Sequence, residues 1–89
     1  MDNTTYQHIE YVLSNGVKCR YNKNGDIHSD DGPAKIWPDG HIEWWVNGKT
    51  HNIYGPAIIT REGKCEYYVN NIRMTEIEFL IAKLNYFLT

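Results

Sequence analysis

The chain has 89 residues, a formal net charge of −2 and an aromatic content of 13%, with seven Tyr and three Trp. This length predicts one small domain, and the weak negative charge gives no strong attraction to nucleic acid or anionic lipid. No apolar run approaches the roughly 18 residues of a membrane span, and Met1–Tyr6 has neither the basic nor the apolar segment of a secretory signal. We therefore expect a single cytoplasmic domain with no membrane partner.

The first predicted element is a β-hairpin. Residues 1–7 are polar and are expected to be loose. Apolar residues alternate in His8–Leu13, which predicts a strand, and Val17–Tyr21 is the returning strand. The turn between them, Ser14-Asn15-Gly16, has its glycine one place early relative to the later hairpins, so we expect a different loop length.

The second hairpin is predicted to have a three-residue loop, Pro38-Asp39-Gly40, between strands Ala34–Trp37 and His41–Val46. Pro presets φ at the first loop position, and Gly accepts the positive φ that the third position requires. This loop pairs Ile36 with Ile42, which places like residues on one face of the sheet. The third hairpin repeats the arrangement 23 residues further on.

The last segment, residues 75–89, changes to a helical period. Thr75 and Glu78 have the spacing of a capping box, in which each side chain satisfies a free backbone N–H of the first turn. One apolar stripe follows and consists of Ile77, Leu80, Ile81, Leu84 and Leu88. We predict a helix from Glu76 to about Phe87. A helix this short is marginal alone, so we expect the stripe to dock on the sheet and cap the end of the array.

The centre of the chain contains a repeat with a period of 23 residues. Asn24-Gly25, His28, Gly32-Pro33-Ala34 and Gly40 recur as Asn47-Gly48, His51, Gly55-Pro56-Ala57 and Gly63. A fixed period indicates repeated supersecondary units. We therefore predict a mainly β fold over residues 8–74, an antiparallel meander of three stacked β-hairpin repeats with a C-terminal capping α-helix. Cys19 and Cys65 both align with Ile42 of the middle copy, so both are expected to be buried free thiols.

The side chains that suggest chemistry are two histidines and their neighbours. His28 with Asp30 could ligate a metal, or act as a base with an orienting acid. However, His28 and His51 hold the same repeat position, each before a Gly-Pro turn, and an imidazole bonded to turn backbone explains both. The residues assigned this structural role are His28, His51, Gly32, Pro33, Gly55 and Pro56. Because the sequence has no nucleophile, phosphate-binding or zinc motif, we predict no enzyme activity, cofactor or metal.

The second face of the predicted sheet is apolar, although a half-solvated antiparallel sheet is normally polar there. It carries Trp37, Trp45, Ile58 and Tyr68 together with Glu43 and Glu66. We predict that these six residues bind a partner, since Trp and Tyr dominate binding energy at protein interfaces. The alternative is that the C-terminal helix or the curl of the strands covers them. Exposed aromatics can also stack nucleic-acid bases, but the acidic stretch from Asp26 to Glu43 argues against phosphate binding.

Residues 45–57 read Trp-Val-Asn-Gly-Lys-x-His-x-x-x-Gly-Pro-Ala. This pattern resembles MORN-like β-hairpin repeats, in the variant seen in phage and giant-virus proteins, and the resemblance covers about residues 16 to 80. It implies an elongated antiparallel meander with a binding role and no catalytic residue set. The chain departs from the usual repeat at Ser29 and Asn52, where Arg is common, and at Ile53-Tyr54, which replaces an acidic residue.

These features predict a non-enzymatic protein–protein interaction module. The resemblance implies a phage or viral accessory protein that binds and inhibits a host protein, such as a defence enzyme, in the host cytoplasm. The alternative is a structural repeat protein that self-assembles, for which a homodimer is one form. A small metal-dependent enzyme or a nucleic-acid binder is the third hypothesis.

Overall fold

A computed structural model describes residues 9–88 of the chain. Its elements are β1 (Ile9–Val12), β2 (Lys18–Tyr21), β3 (Lys35–Ile36), β4 (Ile42–Glu43), β5 (Trp45–Val46), β6 (Lys49–Thr50), β7 (Ile58–Ile59), β8 (Cys65–Val69), β9 (Ile72–Met74) and α1 (Glu76–Leu88). Seven strands form one antiparallel sheet in the order β1-β2-β3-β4-β7-β8-β9, and β5 pairs with β6 in a two-stranded ribbon. The prediction of a mainly β antiparallel fold with a C-terminal helix is confirmed. The segment expected to be loose, residues 1–7, lies outside the described residues.

The three hairpin turns share one backbone geometry. In each turn, the residue before the loop donates its N–H to the carbonyl four residues on at 2.8–2.9 Å: Leu13 to Val17, Trp37 to His41, and Thr60 to Lys64. Each loop ends in a glycine with positive φ, 89° at Gly16, 99° at Gly40 and 87° at Gly63. The first loop therefore has the same three-residue length as the others, and the expectation of a different length is wrong.

The one-residue offset lies instead in the turn that follows the first hairpin. That turn has three residues, Lys23–Gly25. It is closed by a hydrogen bond of 2.9 Å from the backbone N–H of Asn22 to the carbonyl of Asp26. The corresponding turn of the next copy has two residues, Asn47 and Gly48, with φ of 50° and 80°. The first copy is longer by one residue at this point. An alignment of the copies on their shared Asn-Gly residues therefore places β2, the strand before the turn, one residue out of register.

Two rows of directly paired side chains cross the sheet on opposite faces. The row that defines the aliphatic face joins Lys18, Ile36, Ile42, Ile59 and Cys65. The row that defines the opposite face joins Cys19, Lys35, Glu43, Ile58 and Glu66. The predicted pairing of Ile36 with Ile42 is confirmed. A shift of one residue along a strand moves a side chain to the other face of the sheet. Because of the extra turn residue, Cys19 and Cys65 lie on opposite faces. Cys19 is buried as expected, but Cys65 is exposed, and that part of the prediction is wrong.

The described part of the chain is thin, with principal extents of 41 × 34 × 15 Å. Its buried apolar residues are Val17, Cys19, Ala34, Ile53, Ala57 and Phe79. On the aliphatic face, the connecting segments that carry His28 and His51 form a groove together with Trp44 and Val46. Most of the core is therefore a narrow layer between these segments and the aliphatic face of the sheet, while Cys19 is buried on the opposite face.

The helix begins at the predicted capping box. Thr75 N–H donates to Glu78 Oε1 at 2.8 Å, and Glu78 N–H donates to Thr75 Oγ1 at 3.2 Å. These reciprocal bonds satisfy free donors of the first turn, and the predicted start at Glu76 is confirmed. No helix within residues 9–88 has the length and apolarity needed to cross a bilayer.

The predicted apolar stripe of α1 faces solvent rather than the sheet. Its exposed fractions are 64% for Ile77, 49% for Leu80, 55% for Ile81, 58% for Leu84 and 74% for Leu88. The helix is anchored by Phe79, which is 2% exposed and stacks on Tyr67 of β8 at a centroid distance of 4.8 Å. Lys83 Nζ adds a bond of 3.3 Å to Tyr54 O. The expectation that the stripe docks is wrong, because the aromatic partner Tyr67 holds the opposite side of the helix.

Candidate functional site

The face that carries the predicted partner-binding residues is organised around the carboxylate of Glu43. Its Oε1 accepts a hydrogen bond from Trp45 Nε1 at 2.9 Å. Its Oε2 lies 2.9 Å from His41 Nε2, which donates to it. The side chain of Glu43 is only 16% exposed. Both carboxylate oxygens therefore have a protein partner although the group lies close to the surface.

A lysine joins the two tryptophans on this face. Lys35 Nζ lies 5.1 Å from the ring centroid of Trp37 and 5.9 Å from that of Trp45, within the range of cation–π attraction. The edge of His41 packs against Trp37 at 4.6 Å between centroids and 90° between planes. We call these five side chains, Lys35, Trp37, His41, Glu43 and Trp45, the tryptophan belt. Lys35 and His41 are not among the predicted partner-binding residues, although their i, i+2 alternation with Trp37 and Glu43 places both on this face.

The remaining predicted residues extend the same face toward the C-terminal strands. Ile58 pairs with Glu43 on one side and with Glu66 on the other. Tyr68 follows Glu66 by two residues on β8, so alternation places it on this face as well. All six predicted residues are half-buried. The helix anchor Tyr67 precedes Tyr68 and belongs to the aliphatic face, so Phe79 is held on the other side of the sheet.

His28 and His51 make the same contact with backbone. His28 Nδ1 accepts the N–H of Asn47 at 2.9 Å, and His51 Nδ1 accepts the N–H of Asn70 at 3.0 Å. Both asparagines open a turn with positive φ, 50° at Asn47 and 51° at Asn70. Each histidine thus holds the turn that follows the next hairpin strand, which is the contact that a structural role requires.

This contact fixes the protonation state of both rings. A ring nitrogen that accepts an N–H carries no proton, so each imidazole is neutral with its proton on Nε2. The Nε2–H of His28 donates to Asp30 Oδ1 at 2.8 Å, which leaves that ring no lone pair to take a proton from a substrate. Burial lowers the pKa of His51 below its ordinary value, in the direction that the Nδ1 contact also requires.

The four predicted Gly-Pro residues lie in the groove on the aliphatic face. Gly32, Pro33, Gly55 and Pro56 line an open space of about 950 Å³ with Asp30, Asp31 and His51. Asp30 is held by His28, and Asp31 accepts a bond from Arg20 Nη1 at 3.1 Å. Within residues 9–88 no three His, Cys, Asp or Glu side chains gather closely enough to hold a metal ion.

A second apolar surface lies on α1, away from the tryptophan belt. We call the five exposed residues Ile77, Leu80, Ile81, Leu84 and Leu88 the helix stripe. Periodicity identifies these residues but does not show that they face solvent instead of the core. The residue that does anchor the helix, Phe79, lies on the opposite side of α1 with Ala82 and Lys83, at i, i+3 and i+4. This side has one aromatic and few aliphatic residues, so its signal in the sequence is weak.

Comparison of the chain with family models, curated proteins and solved structures finds no match in any of the three. The resemblance to MORN-like repeats therefore rests on the motif residues alone.

Proposed function

We propose that the chain is a non-enzymatic protein-binding module whose contact surface is the tryptophan belt with Ile58, Glu66 and Tyr68. The observation that carries the proposal is the internal pairing of the belt, in which Trp45 Nε1–H and both oxygens of Glu43 are already bonded. A buried polar atom without a partner costs roughly 1–3 kcal/mol. Because these atoms are paired within the chain, a partner protein can cover them without that penalty.

The composition of the face supports the same proposal. Trp and Tyr are the residues that most often dominate binding energy when a partner buries them. The charged groups of the face, Lys35, Glu43 and Glu66, are of mixed sign, which suits a protein surface better than a phosphate backbone. In both His28 and His51 the lone pair of Nδ1 already accepts a backbone N–H, which supports the non-enzymatic part of the proposal.

We propose that the partner is a host protein in the host cytoplasm and that binding of the chain to its surface inhibits it. The identity of the partner rests on the resemblance to the viral repeat variant. We also propose that the three hairpins are repeat units, with a period of 23 residues that the extra turn residue of the first copy lengthens by one. Two equivalent backbone bonds, one in each of the second and third hairpins, support that period. Ala34 N–H donates to Glu43 O at 2.8 Å, and 23 residues further on Ala57 N–H donates to Glu66 O at 2.9 Å.

The first step of the test is affinity capture from host lysate with the immobilised chain, which should retain one host protein in stoichiometric amount. That protein is purified, and its affinity is measured for the wild type, Trp45→Ser and Tyr54→Ser. Trp45→Ser should weaken binding at least about 30-fold, the effect of a 2 kcal/mol hot spot. Tyr54 is 71% exposed and lies outside the belt, so its variant is the matched control and should bind normally.

Equal affinity of Trp45→Ser and the wild type contradicts the assignment of the belt. If Trp45→Ser fails to fold, Lys35→Glu provides the second variant, because Lys35 lies at the surface between the two tryptophan rings. It should weaken the complex with no loss of thermal stability greater than that of Tyr54→Ser.

A further inference from the structure

We propose that the helix stripe is the interface of a homodimer, in which α1 of one copy packs antiparallel on α1 of a second copy. The stripe is separate from the tryptophan belt, so this interface is additional to the proposed partner surface. The five stripe residues are 49–74% exposed. A helix of 13 residues with that apolar side in water gains from burying it.

The area of the stripe is close to the lower limit for a specific dimer interface. Five aliphatic side chains at this exposure offer on the order of 500 Å² per copy, the size of the largest apolar patch on a typical monomer, which is often functional. Phe87 borders the stripe and is 52% exposed, so it adds to the same surface. Two copies together approach the roughly 1,200 Å² at which specific protein interfaces begin.

The charges of α1 favour the antiparallel arrangement. Glu76 and Glu78 lie in its first turn, and the last turn of Glu76–Leu88 has no basic residue. A parallel pair would bring four carboxylates together, whereas an antiparallel pair separates them by about 18 Å, the rise of twelve residues. Opposed helix dipoles also attract. Two identical surfaces related in this way form an isologous interface that closes at two copies.

Two other occupants fit the structure less well. An amphipathic helix binds anionic lipid through basic residues that flank its apolar side, but the one lysine of α1, Lys83, is bonded to Tyr54 O and two acids lie near it in sequence. The exposed residues of β1, including Ile9 at 60% and Tyr11 at 59%, lie at the opposite edge of the seven-stranded sheet from α1. Contact between the helix stripe and β1 would be head to tail and would produce rings or open chains of copies rather than a two-fold dimer.

Sedimentation equilibrium of the full chain tests the dimer. The wild type should have twice the monomer mass of 10.4 kDa. Leu84→Glu puts an unpaired carboxylate into the interface and should raise the dimer dissociation constant at least about 100-fold. Asn85→Glu adds the same charge at the exposed border of the stripe, where the carboxylate can stay in water, so this variant should remain a dimer.

The orientation is tested by disulfide formation in a Cys65→Ser background. A mixture of Ile77→Cys and Leu88→Cys should form a mixed disulfide, because an antiparallel pair places the start of one helix beside the end of the other. Ile77→Cys alone should not form a disulfide with itself. If it does, the helices are parallel and the proposed arrangement is overturned.

A monomeric wild type, a Leu84→Glu variant that remains a dimer, or open-ended polymers would each overturn the proposal. So would a wild type that is a monomer in solution and binds phosphatidylglycerol vesicles through Leu84. Partner affinity of Leu84→Glu, measured as for the belt variants, separates the two proposals. It should equal that of the wild type even where the dimer is lost, since Leu84 lies outside the belt.

Discussion

The imidazole of His51 links the stability of the fold to pH. Its Nδ1 accepts the N–H of Asn70 and must be unprotonated in the folded chain, and burial lowers its pKa. In the unfolded chain a histidine has a pKa of about 6.5. Below that pH the unfolded chain takes up a proton that folded His51 does not. The contribution of His51 to stability is therefore complete above about pH 6.5 and is lost as the pH falls through the lowered pKa of the fold.

We predict that His51→Ala lowers the free energy of unfolding by about 1 kcal/mol at pH 7.5, the worth of one hydrogen bond. Because the variant has no imidazole at this position, the difference from the wild type should shrink as the pH is lowered to 5. Urea denaturation at the two pH values measures both effects. A difference of the same size at pH 7.5 and pH 5 would contradict the link between His51 protonation and folding.

The two cysteines differ in accessibility, and this predicts different reactivity. Cys19 is 2% exposed, whereas Cys65 is exposed on β8. In the native chain a thiol reagent should therefore add one label quickly, at Cys65, and unfolding in denaturant should allow a second label at Cys19. Intact mass spectrometry counts the labels, and Cys65→Ser is the control that should remain unlabelled while folded. Rapid addition of two labels to the native wild type contradicts the burial of Cys19.

Among the elements, the hairpin turns depend on glycines with positive φ. Gly63 has φ of 87°, whereas Gly55 has no positive φ, and a Cβ at either position meets nothing within 4 Å. Gly63→Ala and Gly55→Ala therefore differ in backbone conformation and not in steric contact. We predict a cost of roughly 1–2 kcal/mol for Gly63→Ala and little change for Gly55→Ala. Thermal denaturation compares them, and equal melting temperatures would show that the turn does not require the glycine.

The helix is predicted to depend on its single buried residue rather than on its apolar stripe. Phe79→Ala removes the ring that stacks on Tyr67 and should cost about 3 kcal/mol or more. Leu80→Ala changes a residue that is 49% exposed and should cost far less in dilute, monomeric protein. Circular dichroism at 222 nm through a thermal melt follows the helix. If Leu80→Ala destabilises it as strongly as Phe79→Ala, the stripe belongs to the core after all.

Sequence reasoning succeeded for the elements whose determinants are local. Pro38 and Gly40 specify the loop and with it the pairing of Ile36 with Ile42, and the Thr75–Glu78 capping box specifies where α1 begins. It failed where the outcome depends on distant contacts. The choice of helix face is made by Tyr67, which periodicity within the helix cannot show.

The same limit applies to Cys19 and to the tryptophan belt. The face of Cys19 depends on one extra residue in a neighbouring turn, and an alignment by identity does not reveal it. At the belt, alternation placed Trp37, Trp45 and Glu43 on one face. It could not show that Glu43 pairs with both His41 and Trp45, because side-chain rotamers settle that contact.

At the scale of the whole molecule, the dominant property is the thinness of its core. The described residues span 15 Å in the shortest direction, and few of their apolar side chains are fully buried. Domains of this size bury a smaller fraction of their unfolded surface than larger domains do and are correspondingly marginal. A second copy packed on the helix stripe adds apolar burial to a fold that has little, so the proposed dimer would raise the stability of each monomer.

The coupling between assembly and folding gives a prediction about protein concentration. If two folded copies dissociate as they unfold, mass action stabilises the folded state as concentration rises. For a dimer of this size a tenfold increase should raise the melting temperature by roughly 3–5 °C. Differential scanning calorimetry of the wild type, Leu84→Glu and Asn85→Glu over a hundredfold range of concentration measures the slope. The wild type and Asn85→Glu should show the increase, and Leu84→Glu should melt at one temperature throughout. Aggregation of unfolded chains shifts the apparent melting temperature downward with concentration, so it cannot imitate this result. A wild-type melting temperature that is independent of concentration would mean that the helix stripe stays in water when the chain folds.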